Sequence, residues 1–179
     1  MRKGGFGGGN TKTGLVFEGK ADFLTLLGFI EGYQVRQAEI GFDVLFDGEV
    51  VAHTYKKNGL YKFLGSQGVD WTKIVSKRLL PDDAIYVIRD NTIYIIELKY
   101  QEVAGSVDEK LQTCDFKKKQ YQKLFSELNY EVEFVYILDN WFRNEKYRDV
   151  LDYVISVGCK YYFEYLPLQK IGLPVPGAK

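Results

Sequence analysis

The run Thr92-Ile93-Tyr94-Ile95-Ile96-Glu97-Leu98-Lys99 constrains this chain more than any other stretch, because a carboxylate and an ammonium interrupt an otherwise apolar strand. Side chains alternate between faces along a strand, so Glu97 and Lys99 share one face while Tyr94, Ile96 and Leu98 share the other. Burying such charges is costly unless they are paired or bound to something. Upstream, Leu80-Pro81-Asp82-Asp83-Ala84 opens a second apolar segment, and Arg89-Asp90-Asn91 forms a polar turn between the two. Residues 80–99 therefore read as a hairpin of two buried strands with acids at one end, which makes it a candidate site.

With 179 residues, of which 46% are hydrophobic, the chain is long enough for one folded domain with a real core. It has no run near the ~18 apolar residues that span a membrane, and no signal-peptide core opens it. Cys114 and Cys159 lack metal-type spacing and fit reduced thiols of a cytoplasmic protein. His53 is the one histidine. That count argues against His-rich zinc sites and against hydrolases that use histidine as base, and His53 itself reads as structural. Net charge is zero, which argues against binding of nucleic acid by bulk charge. Within residues 56–78, however, six basic residues (Lys56, Lys57, Lys62, Lys73, Lys77 and Arg78) face one acid, Asp70. A surplus of this kind makes a phosphate-contacting surface on a neutral protein.

Along the chain, the glycine-rich segment 1–14 reads as an arm, either mobile or ordering against DNA; no Gly-Lys-Ser/Thr completes a P-loop. The apolar spacing of Leu15, Phe17, Phe23, Leu26, Leu27 and Ile30 predicts a helix over 15–30, with Glu18 in its first turn. Strand character over 33–46, broken near Gly41, leads through an Asp47-Gly48 turn into a strand over 49–55. Residues 57–77 predict short helices around Gly65 and Gly68, either a DNA-contacting insertion or a solvated lysine-rich connection. Tyr55, Tyr61 and Trp71 are its aromatic candidates for DNA contact. Ser106 and Glu109 form a capping box for a helix running to about 128. A buried strand over 130–138, a helix over 141–157, a strand over 160–166 and an irregular proline-bearing tail over 167–179 follow. The expected class is α/β: a central mixed sheet flanked by helices.

An acid-x-Lys triplet alone is a weak signal, and the chain holds four: Glu18-Gly19-Lys20, Glu97-Leu98-Lys99, Asp108-Glu109-Lys110 and Asp115-Phe116-Lys117. Three fall in predicted helices or at their starts, where acids and lysines are ordinarily solvated. Glu97-Leu98-Lys99 alone lies on an apolar strand with a Pro-Asp on the partner strand. Pro81-Asp82 followed by Glu97-Leu98-Lys99 resembles the PD-(D/E)XK nucleases, and the surroundings resemble type II restriction endonucleases in particular. Gly8-Gly9-Asn10-Thr11-Lys12-Thr13-Gly14-Leu15-Val16-Phe17-Glu18 is similar to an N-terminal segment in some of them. So is Gly105-Ser106-Val107-Asp108-Glu109-Lys110-Leu111-Gln112-Thr113 to the segment after their catalytic strand. The likeness covers roughly residues 8–140.

The resemblance implies a restriction-endonuclease-like core and a sequence-specific double-stranded DNA endonuclease that hydrolyses phosphodiesters by Mg²⁺-activated water. Mn²⁺ is expected to substitute. Asp82 and Glu97 would hold the metal, with the Leu98 carbonyl as a third ligand, and Lys99 would position the water or stabilise the transition state. Glu18 would complete the site or hold a second metal. Hard oxygen ligands suit Mg²⁺, which takes only one or two carboxylates. Asp83 adjoins Asp82, and neighbours on a strand face opposite ways, so one of the two points at Glu97; the Pro-Asp spacing favours Asp82. Lys110 and Gln112 either reach the scissile phosphate or are solvated. Lys12, Lys56, Lys57, Lys62, Lys73, Lys77, Arg78, Lys117 and Lys118 are the DNA-contact candidates. Double-strand cleavage implies a homodimer or a second subunit, in the cytoplasm of a bacterial, archaeal or virus-infected cell. Related expectations are a homing endonuclease, a junction resolvase or a repair nickase; outside catalysis, a DNA-binding module with Lys99 merely paired to the acids.

Overall fold

A computed structural model of the protein describes residues 12–17, 22–101 and 107–177. Residues 1–11, Glu18 and Ser106, and with them most of the expected arm and the capping box, lie outside the described residues. The architecture is the expected α/β one: a seven-stranded mixed sheet with helices on its faces.

Five strands run as an antiparallel meander: β2 (Tyr33–Gln37), β3 (Phe42–Phe46), β4 (Glu49–Thr54), β5 (Asp83–Val87) and β6 (Thr92–Lys99). The β3–β4 connection is a two-residue turn whose residues both sit at positive φ, Asp47 at 50° and Gly48 at 87°. Such a turn matches the twist of the strands it joins. Beyond β6 the chain crosses over through α3 (Val107–Leu111) and α4 (Cys114–Phe125) to β7 (Glu131–Leu138), parallel to β6. It returns through α5 (Arg148–Ser156) to β8 (Lys160–Phe163), parallel to β7. Antiparallel strands can share a short turn, whereas parallel neighbours need such helical crossovers. Among the described residues no helix is long and apolar enough to cross a membrane.

Strand parity divides the core in two. On one face Ile93, Ile95, Phe134 and Tyr136 pack under α4, α5 and α2 (Asn58–Ser66), which contribute Tyr121, Leu124, Leu151 and Leu64. On the other, Ile85, Ile96, Val135 and Ile137 meet α1 (Phe23–Leu27) and the chain ends.

Several expectations change. The helix over 15–30 is instead β1 (Gly14–Val16), paired antiparallel with β9 (Tyr165–Pro167), followed by the five-residue α1. Leu15 and Phe17 are both buried while Val16 is not, a period of two that the helical reading absorbed. The tail, expected to be irregular, carries a 3₁₀ turn over Leu168–Ile171 and is packed, with Leu168, Ile171 and Leu173 at most 2% exposed. At about 1.5–3 kcal/mol for each side chain buried, it is part of the core. Segment 56–78, read as an insertion or a solvated connection, is packed on one side, because α2 buries Leu60, Tyr61, Phe63 and Leu64 against the sheet. The expected helices around it are present, as α2 and a 3₁₀ turn over Trp71–Lys73. The predicted long helices are shorter: α4 is separated from α3 at Gln112-Thr113, and 3₁₀ turns precede α5.

Candidate active site

The β5–β6 register pairs Asp83 with Ile96, so one step outward Asp82 stands opposite Glu97 and shares its face. The Leu98 N–H donates to Asp82 Oδ2 at 3.0 Å, which pins the carboxylate against the end of β6. A strand residue presents N–H and C=O to the same neighbour, so the Leu98 carbonyl also faces the Asp82 edge. Glu97 is 6% exposed and has both oxygens occupied. Lys99 Nζ lies 2.8 Å from its Oε2. Lys117 Nζ, from α4, lies 2.8 Å from Oε1 and 2.7 Å from Oε2. Burial pushes the Glu97 carboxyl up, but Lys99 and then Lys117 outweigh it and hold the group below the usual carboxylate range. The Lys99 ammonium also sits 5.8 Å above the Tyr136 ring, an apolar floor with a favourable electrostatic face.

Asp83 points the other way. It is 3% exposed on the opposite face, where Lys56 Nζ stands 3.7 Å from its Oδ1 and 2.8 Å from Asp22 Oδ1. Lys56 thus spends most of its charge on Asp22. Desolvation of Asp83 is only partly offset by Lys56 and is aided by Asp22 and Asp82, and its carboxyl rises to about 7. Asp22 goes down to about 2 despite its partial burial, through Lys56 and Thr25. It also caps α1, accepting from the Leu24 N–H at 3.2 Å and from the Thr25 hydroxyl. Asp22→Ala removes the cap and the Lys56 partner together. Urea unfolding should show a loss of about 1 kcal/mol, typical of a missing N-cap; no change would mean that α1 is held by packing alone.

The remaining candidates separate by environment. Glu18 lies outside the described residues; Phe17, just before it, is buried and accepts from the Tyr100 hydroxyl at 3.4 Å. Lys110 and Gln112 are exposed on and after α3, and the helical contact to Glu97 comes instead from Lys117. Lys57, Lys62, Lys73, Lys77 and Arg78 are exposed; Lys73 lies 3.6 Å from Asp70, and the Arg78 guanidinium is 5.3 Å from the Trp71 ring. Lys12 lies 4.0 Å from Glu31. Lys56, Lys117 and Lys118 are not free surface cations, since each is bound internally; Lys118 donates to the Gly158 carbonyl at 2.7 Å. Tyr55 and Tyr61 are 5% exposed, so packing rather than DNA contact accounts for them. His53 bonds Asp43 at 2.8 Å, as a structural histidine should.

Lys117 was legible in principle. Cys114, Lys117, Tyr121 and Leu124 follow one helical stripe, and a lysine at an apolar position of that stripe asks for a buried partner.

A divalent cation fits this donor set: two carboxylates on one face, with a backbone carbonyl at the same edge, are hard oxygen ligands. Among the described residues no group of three His, Cys, Asp or Glu side chains is placed to hold a metal ion. The chain matches no protein-family model, no curated protein and no solved structure.

Proposed function

We propose that the protein is a Mg²⁺-dependent, sequence-specific endonuclease of the type II restriction class, built on a PD-(D/E)XK site. The observation that carries this reading is the convergence of Asp82, Glu97 and Lys99 on one face at the open end of the β5–β6 hairpin. Asp82, Glu97 and the Leu98 carbonyl would hold the cation. Bound there, Mg²⁺ or Mn²⁺ lowers the pKa of a coordinated water and offsets phosphate charge. Lys99, already beside Glu97, orients the attacking water or neutralises charge growing on the phosphate. The exposed Lys57, Lys62, Lys77 and Arg78 supply phosphate contacts at the flank. A homodimer, or a second subunit, brings the second site that cutting both strands requires.

A second reading has its own support: with both Glu97 oxygens taken by ammoniums, the cluster is already self-satisfied, as in a DNA-binding module with no catalysis. Digestion of DNA of known sequence with Mg²⁺, followed by sequencing of the ends, separates the two. Discrete ends at one short shared sequence, abolished by chelation, are the expected result. Intact duplex under Mg²⁺ and under Mn²⁺ would leave the binding module standing, and cutting confined to branched DNA would point to a resolvase.

A further inference from the structure

Lys117 holds a position in the site that neither strand of the hairpin supplies. Its ammonium bridges both oxygens of Glu97, at 2.8 and 2.7 Å, while Lys99 stands 2.8 Å from Oε2. A cation held by Glu97 would take its place at the same carboxylate oxygens. Lys117 and such a cation would therefore compete for those oxygens.

Charge sharpens the competition. Asp82, Glu97, Lys99 and Lys117 balance one another, two acids against two bases. A divalent cation added to that balanced set leaves an excess of positive charge in a half-buried site, where like charges repel strongly. Turning one ammonium outward toward an anion relieves it. Lys117 is the one whose ammonium stands in the cation's place; the two side chains are about equally exposed, 23% for Lys117 and 19% for Lys99, but Lys99 is further held over the Tyr136 ring.

We infer that Lys117 is a built-in counter-ion that occupies the cation position on Glu97 in the free protein and gives it up when cation and phosphodiester enter together. The inference rests on the reading of Asp82 and Glu97 as the metal ligands. It makes the site poor at binding metal alone and good at binding metal with DNA, which restrains cleavage until substrate is seated. Lys117 is accordingly a positioning residue, distinct from Lys99.

The test is titration of the full chain with Mn²⁺ alone, read by calorimetry and by melting temperature. Lys117→Met keeps the aliphatic stem and leaves Glu97 paired with Lys99, so the fold should hold. It should bind Mn²⁺ at least about tenfold more tightly than the parent chain. In chelator its melting temperature should fall, and it should gain more from added Mn²⁺ than the parent does. Lys117→Arg, whose planar fork grips a carboxylate at both oxygens, should bind Mn²⁺ no better than the parent. Adding Asp82→Ala to Lys117→Met should remove the binding. A lower melting temperature with unchanged Mn²⁺ affinity would overturn the counter-ion role while leaving the metal reading intact. Tightening in Lys117→Arg would overturn it as well. Absence of Mn²⁺ binding in both the parent and Lys117→Met would overturn the metal reading and the counter-ion role together.

Discussion

Asp82→Ala and Lys99→Ala should each lower Mg²⁺-dependent DNA cleavage on the order of 10²- to 10³-fold, the scale on which losing one preorganised charge contact acts. The two losses differ in kind. Asp82 is fastened by the Leu98 N–H and is half-buried at the strand end, so its removal takes away a cation ligand and little packing. Apparent affinity for Mg²⁺ should weaken with the rate. Lys99 touches Glu97 from the same strand face, and its removal leaves Glu97 still held by Lys117. The fold should persist, metal affinity should not weaken, and the rate should fall. Cleavage surviving either substitution at parental levels would sink the proposed chemistry. The double substitution should cost much less than the sum of the two, because groups acting on one charge transfer are not additive.

Asp83→Asn is expected to stabilise the protein at pH 8 and to change little at pH 4. The Asp83 carboxyl titrates near 7 in the folded chain, against 3.8 as an ordinary aspartate. Between those values the folded state holds a proton that the unfolded state has released, so stability falls as pH rises through the window. Above it the folded chain carries the whole cost of a buried anion, at most about 4 kcal/mol for a shift of this size. Asparagine carries no charge to bury, and Lys56 keeps its closer partner Asp22. Glu97 has the opposite slope, because its depressed carboxyl stabilises the fold above the ordinary range and loses that contribution on acidification. Comparing parent and variant at each pH cancels the Glu97 contribution. Urea unfolding at pH 4, 6 and 8 decides the matter: a variant weaker than the parent at pH 8 would show that the Lys56–Asp83 attraction outweighs desolvation.

The two faces of the hairpin explain what could be read from sequence. A strand's period of two is unambiguous once the strand is identified, so the common face of Asp82, Glu97 and Lys99, and the exile of Asp83, were open to inspection. The β2–β3, β3–β4 and β5–β6 turns were equally legible, because they are local and carry residues such as Asp47 and Gly48 suited to positive φ, whereas β4 reaches β5 only through α2. Longer-range features were not. Lys117 meets Glu97 only after the parallel crossover has laid α4 on the sheet, and Lys56 joins Asp22 and Asp83 from a different loop. Near the start, the alternation of Leu15 and Phe17 was too short to compete with the apolar spacing of residues 23–30, and Asp22, a strong cap signal, marks where the helix begins.

The β1–β9 ribbon has a consequence for how the protein comes together. Gly14 pairs with Pro167, which closes a loop of about 150 residues, and the two strands share the apolar layer beneath α1. The entropy of closing such a loop grows only with the logarithm of its length, so the seal adds little cost at equilibrium. Kinetics are another matter. Contacts between distant parts of a chain slow folding, so a chain emerging from the ribosome can complete its meander long before its last strand is available. Until β9 arrives, Leu15 and Phe17 have lost part of their cover, and that unsealed layer is where a nascent chain would be open to chaperones and proteases.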